Sequence, residues 1–223
     1  MSVKINYKSI SSNKNPSNVV LFTNEKFNTT SLKKHISKTD YSFISDLVKT
    51  KNLKKEIISF DISSKRNIIL VSIKKNIKLF EVEKLGAKFY DLFKELKQNN
   101  FNVNTNTLGS NSDKIIGHFL HGIRLKSYIF EKYKTKKNKI NILINVNGKN
   151  IPSLKDQIKF KSIEEGSFYT RDLVSEPGNI LHPDEYAKRI NSLKKIGLKV
   201  NVLDEKKLKK LGMNTLLGVG QGS

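Results

Sequence analysis

Four histidines and twenty carboxylates are the groups in this chain that could hold a metal or move a proton, and there is no cysteine. His118 and His121 stand three residues apart on a segment with helical periodicity, close enough on one face to share an ion. Neither has an acidic residue one turn away to extend the ligand set. His35 lies in a basic loop. His182 precedes Pro183 and fits the cap of a helix better than a ligand position. Asp184 with Glu185, and Asp204 with Glu205, are carboxylates at helix starts, where the helix dipole favours them without any chemistry. No serine occupies a G-x-S-x-G turn. Gly218, Gly220 and Gly222 are not followed by a Lys-Ser or Lys-Thr pair, so they make a poor phosphate loop. No residue is therefore assigned as catalytic, metal-binding or substrate-binding.

The elements that must position these groups follow from periodicity. Val3, Ile5 and Tyr7 alternate with polar residues as a first strand, and Val19 to Phe22 reads as a buried one. Asp40 is placed to cap a helix carrying Phe43, Ile44, Leu47 and Val48. Two β-rich runs, 57–62 and 67–73, read as neighbouring strands. Leu85, Phe89, Leu92, Phe93 and Leu96 mark a helix ending at Asn99 and Asn100. Phe101 to Thr105 alternates with asparagines as a strand, 115–130 returns to helical period, and 138–146 is a β-branched run. Strands alternating with helices imply an α/β domain over 1–150, with a mixed, partly parallel sheet flanked by helices. The stretch 151–163 is polar and contains Pro152, leading to a connecting helix over 162–174.

Gly166 to Ser223 is dense in start and stop residues. Glu176-Pro177-Gly178-Asn179 breaks the chain, and a helix starts at Pro183 with Glu185 placed to reach back to free backbone donors. Gly197 closes that helix. Leu198, Val200 and Val202 alternate with polar residues as a strand, Asp204 caps a second short helix stopped by Gly212, and Leu216, Leu217 and Val219 suggest another strand. This is the opening helix–strand–helix of an α/β domain, assigned to 151–223 with its linker.

RDLVSEPGNILHPDEYAKRI, followed by GLKVNVLDEKKLKKLGMNTLLGVGQGS, resembles the start of the catalytic domain in the leucyl (cytosol) aminopeptidases, a family of two-metal peptidases. Gly122, Leu125, Tyr128, Phe130, Tyr133 and Lys134 resemble the last helix of that family's N-terminal domain. The resemblance implies an intact enzyme that removes N-terminal residues from peptides with two zinc or manganese ions, assembled as a homohexamer in the cytoplasm. The family's ligands come from a lysine–aspartate stretch and a later aspartate–glutamate stretch. This sequence carries neither, and Ser223 comes before the first would be expected. The chain is thus expected to be an inactive fragment that binds no metal of its own.

Composition sets the remaining bounds. A chain of 223 residues with 37% hydrophobic content can build a real core. The absence of cysteine excludes disulfides and thiolate metal sites and suits a reducing compartment. No apolar run reaches the ~18–20 residues of a membrane helix, and the first ten residues read as a strand, not a leader. The net charge of +22 and pI near 9.9 raise an alternative, a non-enzymatic basic module that binds nucleic acid or a protein partner. Lysine scattered through nearly every element competes with it as a generally solvated surface.

Overall fold

The computed structural model describes residues 2–8, 18–50, 55–64, 66–96, 99–109, 112–136 and 141–222. The chain divides into two compact units, Met1–Phe168 and Tyr169–Ser223. In the first unit the strands are β1 (Ser2–Lys8), β2 (Asn18–Thr23), β3 (Ile57–Ser63), β4 (Arg66–Ser72), β5 (Asn100–Asn104) and β6 (Asn141–Asn147). The helices are α1 (Lys38–Thr50), α2 (Leu79–Phe93), α3 (Ser112–Lys126) and α4 (Leu154–Ser175), of which residues 154–168 belong to this unit and the rest to the second.

The strand order is β1-β6-β5-β2-β4-β3. All neighbours pair in parallel except β3, which runs antiparallel to β4 at one edge. The mixed sheet flanked by helices inferred from the alternation of elements is therefore the architecture present. Strands β2 and β4 are apolar on both faces because helices cover both. Val20, Phe22, Ile69 and Val71 face the cluster packed by α2 and α3, whereas Leu21, Ile68 and Leu70 face the one packed by α1, Phe27 and Leu32. Strand β3 also feeds both clusters, Ile57 the first and Ile58 and Phe60 the second, whereas β1, β5 and β6 are one-sided. Phe101 and Val103 enter the first cluster with Ile142, Ile144 and Val146, and on the opposite face the Asn6 amide donates to Asn145 at 3.1 Å.

Helices α2 and α3 cross where glycine meets backbone. A Cβ on Gly86 would lie 2.0 Å from the Phe119 carbonyl oxygen, and one on Gly122 would lie 2.0 Å from that of Glu83. That approach lets Phe89 and Phe119 meet edge to face at 5.5 Å, with Phe22 5.5 Å from the same Phe119 ring.

Several expectations need correction. The cap of α1 is Ser37, whose hydroxyl accepts from the Asp40 N–H at 3.1 Å; Asp40 is buried and accepts from Arg66 at 2.8 Å. Helix α3 ends at Lys126, so Tyr128, Phe130, Tyr133 and Lys134 follow the helix instead of belonging to it. The connecting helix begins at Leu154, eight residues earlier than the polar, proline-containing stretch 151–163 suggested, because the Ser153 hydroxyl accepts from the Asp156 N–H at 3.1 Å and starts it there. The run at 138–146 begins in part outside the described residues, and β6 covers its remainder.

The second unit holds α5 (Pro183–Ser192), α6 (Glu205–Lys210) and α7 (Asn214–Gln221). His182 and Asp204 stand at the expected caps, and Gly197 and Gly212 close their helices with φ of +89° and +72°. The alternating segment 198–202 is not a strand, and the run through Leu216 and Val219 is helical. Period-two alternation needs a neighbouring strand to satisfy its backbone, and none pairs with this segment among the described residues. Glu185 does not reach back to His182; it accepts from Arg189 at 3.0 Å.

Candidate functional site

His118 and His121 project from α3 toward α4, and Phe160 of α4 packs its ring 5.0 Å from each imidazole. The two histidines are nevertheless separated chemically. His118 Nδ1 lies 2.6 Å from Glu83 Oε1 on α2, and His121 Nδ1 lies 2.9 Å from Glu164 Oε1 on α4. Arg124, one turn beyond His121, donates from Nε to the other Glu164 oxygen at 3.2 Å and from its terminal nitrogen to the Val3 carbonyl of β1. Glu164 is thus a buried carboxylate with both oxygens engaged.

A cavity of about 430 Å³ opens beside this network, lined by Val3, Ile5 and Tyr7 of β1 and by Gln157, Ile158 and Lys161 of α4. Burial pushes the Tyr7 phenol up to about 12; the Glu164 carboxylate adds to the shift and Arg124 opposes it. Gly117 belongs here because a Cβ would meet the Phe160 ring at 2.7 Å. Phe168, farther along α4, stacks on Tyr128 at 5.4 Å and lies under the Arg124 guanidinium.

This arrangement is built to hold α4 against α3 and β1. A carboxylate already accepting from a histidine and an arginine has little capacity left for a cation. No group of three His, Cys, Asp or Glu side chains converges among the described residues. The local acidic neighbours that His118 and His121 lacked are supplied instead by Glu83 and Glu164, 35 and 43 residues distant. Local spacing carries no trace of either partner. In the second unit Arg189 clamps Glu176 at 2.9 Å and Glu185 at 3.0 Å. Those bonds, with Glu176 foremost, raise the guanidinium above its ordinary value, and the bond from Arg189 is the main cause lowering Glu185. Asp204 is occupied in accepting from the Lys207 N–H at 2.9 Å. Gly218 and Gly220 lie inside α7, where their backbone belongs to a helix and not to a phosphate loop. The donors present do not fit a two-metal centre, which needs several carboxylates converging on ions a few ångströms apart.

Residues 168–223 match the family described as "Cytosol aminopeptidase family, catalytic domain". A probable cytosol aminopeptidase of Bradyrhizobium sp. is 44% identical over 107 residues, 46% of this chain and 21% of that protein. One from Dinoroseobacter shibae is 34% identical over 160 residues, 70% of this chain and 30% of that protein. Among solved structures, a mutant of tomato leucine aminopeptidase superposes with a TM-score of 0.70 at 17% identity, covering 95% of this chain and 46% of the other. At that identity the likeness is one of fold. The chain spans less than a third of the length of these two curated relatives.

Proposed function

The chain belongs to the leucyl (cytosol) aminopeptidase family, and we propose that it corresponds to the N-terminal α/β domain of such an enzyme, 1–150, followed by a linker and the opening of the catalytic domain, 151–223. The match over 168–223 to a catalytic-domain description carries this reading. The whole protein would remove N-terminal residues from peptides in the cytoplasm, using two divalent metals, zinc or manganese, in a homohexamer. Residues 1–223 alone would not hydrolyse peptides: Glu164, Glu176 and Asp204 are committed to histidine, arginine and helix-start partners, and no three metal-binding side chains converge among the described residues. The test is release of leucine from a leucine anilide by the purified 223-residue protein with manganese or zinc added. No turnover above the metal blank is expected, and metal-dependent turnover would overturn the reading.

The net charge of +22 favours a second reading, a basic module that binds nucleic acid. Lysine contacts to phosphate release counterions, so binding would be tight at low salt and fall steeply as salt rises. Absence of binding at low salt would remove it.

A further inference from the structure

The first unit contains a second cavity, of about 580 Å³, remote in composition from the histidine network. It lies at the carboxyl ends of β2, β4 and β5, lined by Phe22, Thr23 and Asn24, by Ile73, Lys74 and Lys75, and by Thr107 to Gly109. Its position follows from topology. After β2 the chain passes to α1, which packs on one face of the sheet, whereas after the adjacent β5 it passes to α3 on the other. Neighbouring parallel strands whose connections leave to opposite faces open a crevice between them, and open α/β sheets bind ligands in such crevices.

The lining is rich in donors. Asn24 and Asn28 spend their carboxamide oxygens on backbone N–H groups of Lys26, Asn28 and Thr30, which leaves their NH₂ groups as donors. Thr30 and Ser31 add hydroxyls from the short helical turn Thr30–Lys34. Thr23 is buried, and its hydroxyl oxygen has no hydrogen-bond partner among the described residues. Such an orphan is costly unless a ligand or water pairs with it. No carboxylate is among the lining residues described, so Lys74 and Lys75 face no competing anion there. Two lysines alone would decide nothing in so basic a chain; their union with the Asn24, Asn28, Thr30 and Ser31 donors and the switch-point crevice does. The rim is set in advance, because Phe27 adopts φ of +51° and is buried in the core beneath the loop. Phe22, Ile73, Leu108 and Ile115 supply an apolar wall beside the donors.

We propose that this crevice binds a small phosphate-bearing ligand of nucleotide size, with the phosphate at Lys74, Lys75, Asn24, Asn28, Thr30 and Ser31 and the organic moiety against the apolar wall. The volume falls within the roughly 300–1,000 Å³ of small-molecule sites. The inference goes beyond the family reading, and its test does not read hydrolysis, so its failure would leave that reading untouched.

Calorimetric titration of the whole 223-residue protein with ADP, adenosine and inorganic phosphate, with chelator present and at about 0.15 M ionic strength, decides it. Saturable binding of one ADP per chain is expected, tighter than either adenosine or phosphate. Ser31→Trp, which fills the crevice without changing charge, and the double variant Lys74→Ala with Lys75→Ala should each weaken ADP by about tenfold or more. Lys206→Ala with Lys207→Ala, on exposed α6, should leave affinity unchanged, and thermal midpoints establish that each variant folds. If Ser31→Trp does not fold, the lysine pair still decides. No ADP binding, equal losses in the α6 control, adenosine or phosphate binding as tightly as ADP, or affinity that survives the crevice substitutions would each overturn the proposal.

Discussion

Glu164 of α4 receives the imidazole of His121 of α3 at 2.9 Å, and both side chains are buried. With Arg124 on its second oxygen, the carboxylate ties the long helix to the sheet domain. Glu164→Leu would leave a histidine and an arginine without their acceptor and should cost about 3 kcal/mol in urea unfolding. Replacing His121 with Leu in the same background should recover part of the loss. An unchanged midpoint for Glu164→Leu would contradict a structural role for the network.

Gly86→Ala and Gly122→Ala force a methyl group into the facing helix backbone. Each should lower stability by about 2 kcal/mol or more, with a loss of near-ultraviolet ellipticity as the phenylalanine cluster separates. Gly109→Ala, where nothing lies within 4 Å, should be close to neutral. Equal effects at all three positions would argue against the close crossing of α2 and α3.

Tyr7 provides a pH dependence of known sign. Its folded pKa is raised to about 12 from an unfolded value near 10. The stability this contributes is whole below pH ~10 and is lost as pH rises through ~12. Burial and Asp91 also raise the Tyr90 phenol, so tyrosinate absorbance should show late titration of which Tyr7→Phe removes the component near pH 12. Titration of every phenol near pH ~10 in the folded protein would contradict this.

The second unit carries apolar side chains without a core. Among the described residues none after Glu164 is buried, and Ile196, Leu211 and Val219 are more than half exposed. Such surface favours association, so sedimentation should show self-association rising with concentration, accompanied by binding of an apolar dye. Leu211→Glu with Val219→Glu should reduce both. A monodisperse monomer that binds no dye would contradict the expectation.

The regions differ in how far local pattern determined them. Strand β1 was legible from Val3, Ile5 and Tyr7 because alternation and a parallel neighbour agree. Leu198, Val200 and Val202 show the same alternation, yet no neighbouring strand pairs with them, and propensity without pairing does not make a strand. Helix ends set by proline, aspartate and glycine were legible at Pro183, Asp204 and Gly197, since those choices act within one turn. The start of α4 was not legible because 151–163 is mostly polar and contains Pro152, which reads as a linker, and Leu154 and Ile158 are in fact largely exposed. Glu83, Glu164 and the switch-point crevice depend on contacts between elements distant in the chain, and local spacing contains no record of them.

Among the described residues no three metal-binding side chains converge, and metal retention is the most direct test of the proposal that residues 1–223 hold no two-metal centre. After exhaustive chelation, the protein should be equilibrated with micromolar zinc or manganese, passed through a desalting column and analysed for bound metal. No tightly held ion is expected. Retention of two ions per chain, together with hydrolysis of a leucine anilide, would contradict the account.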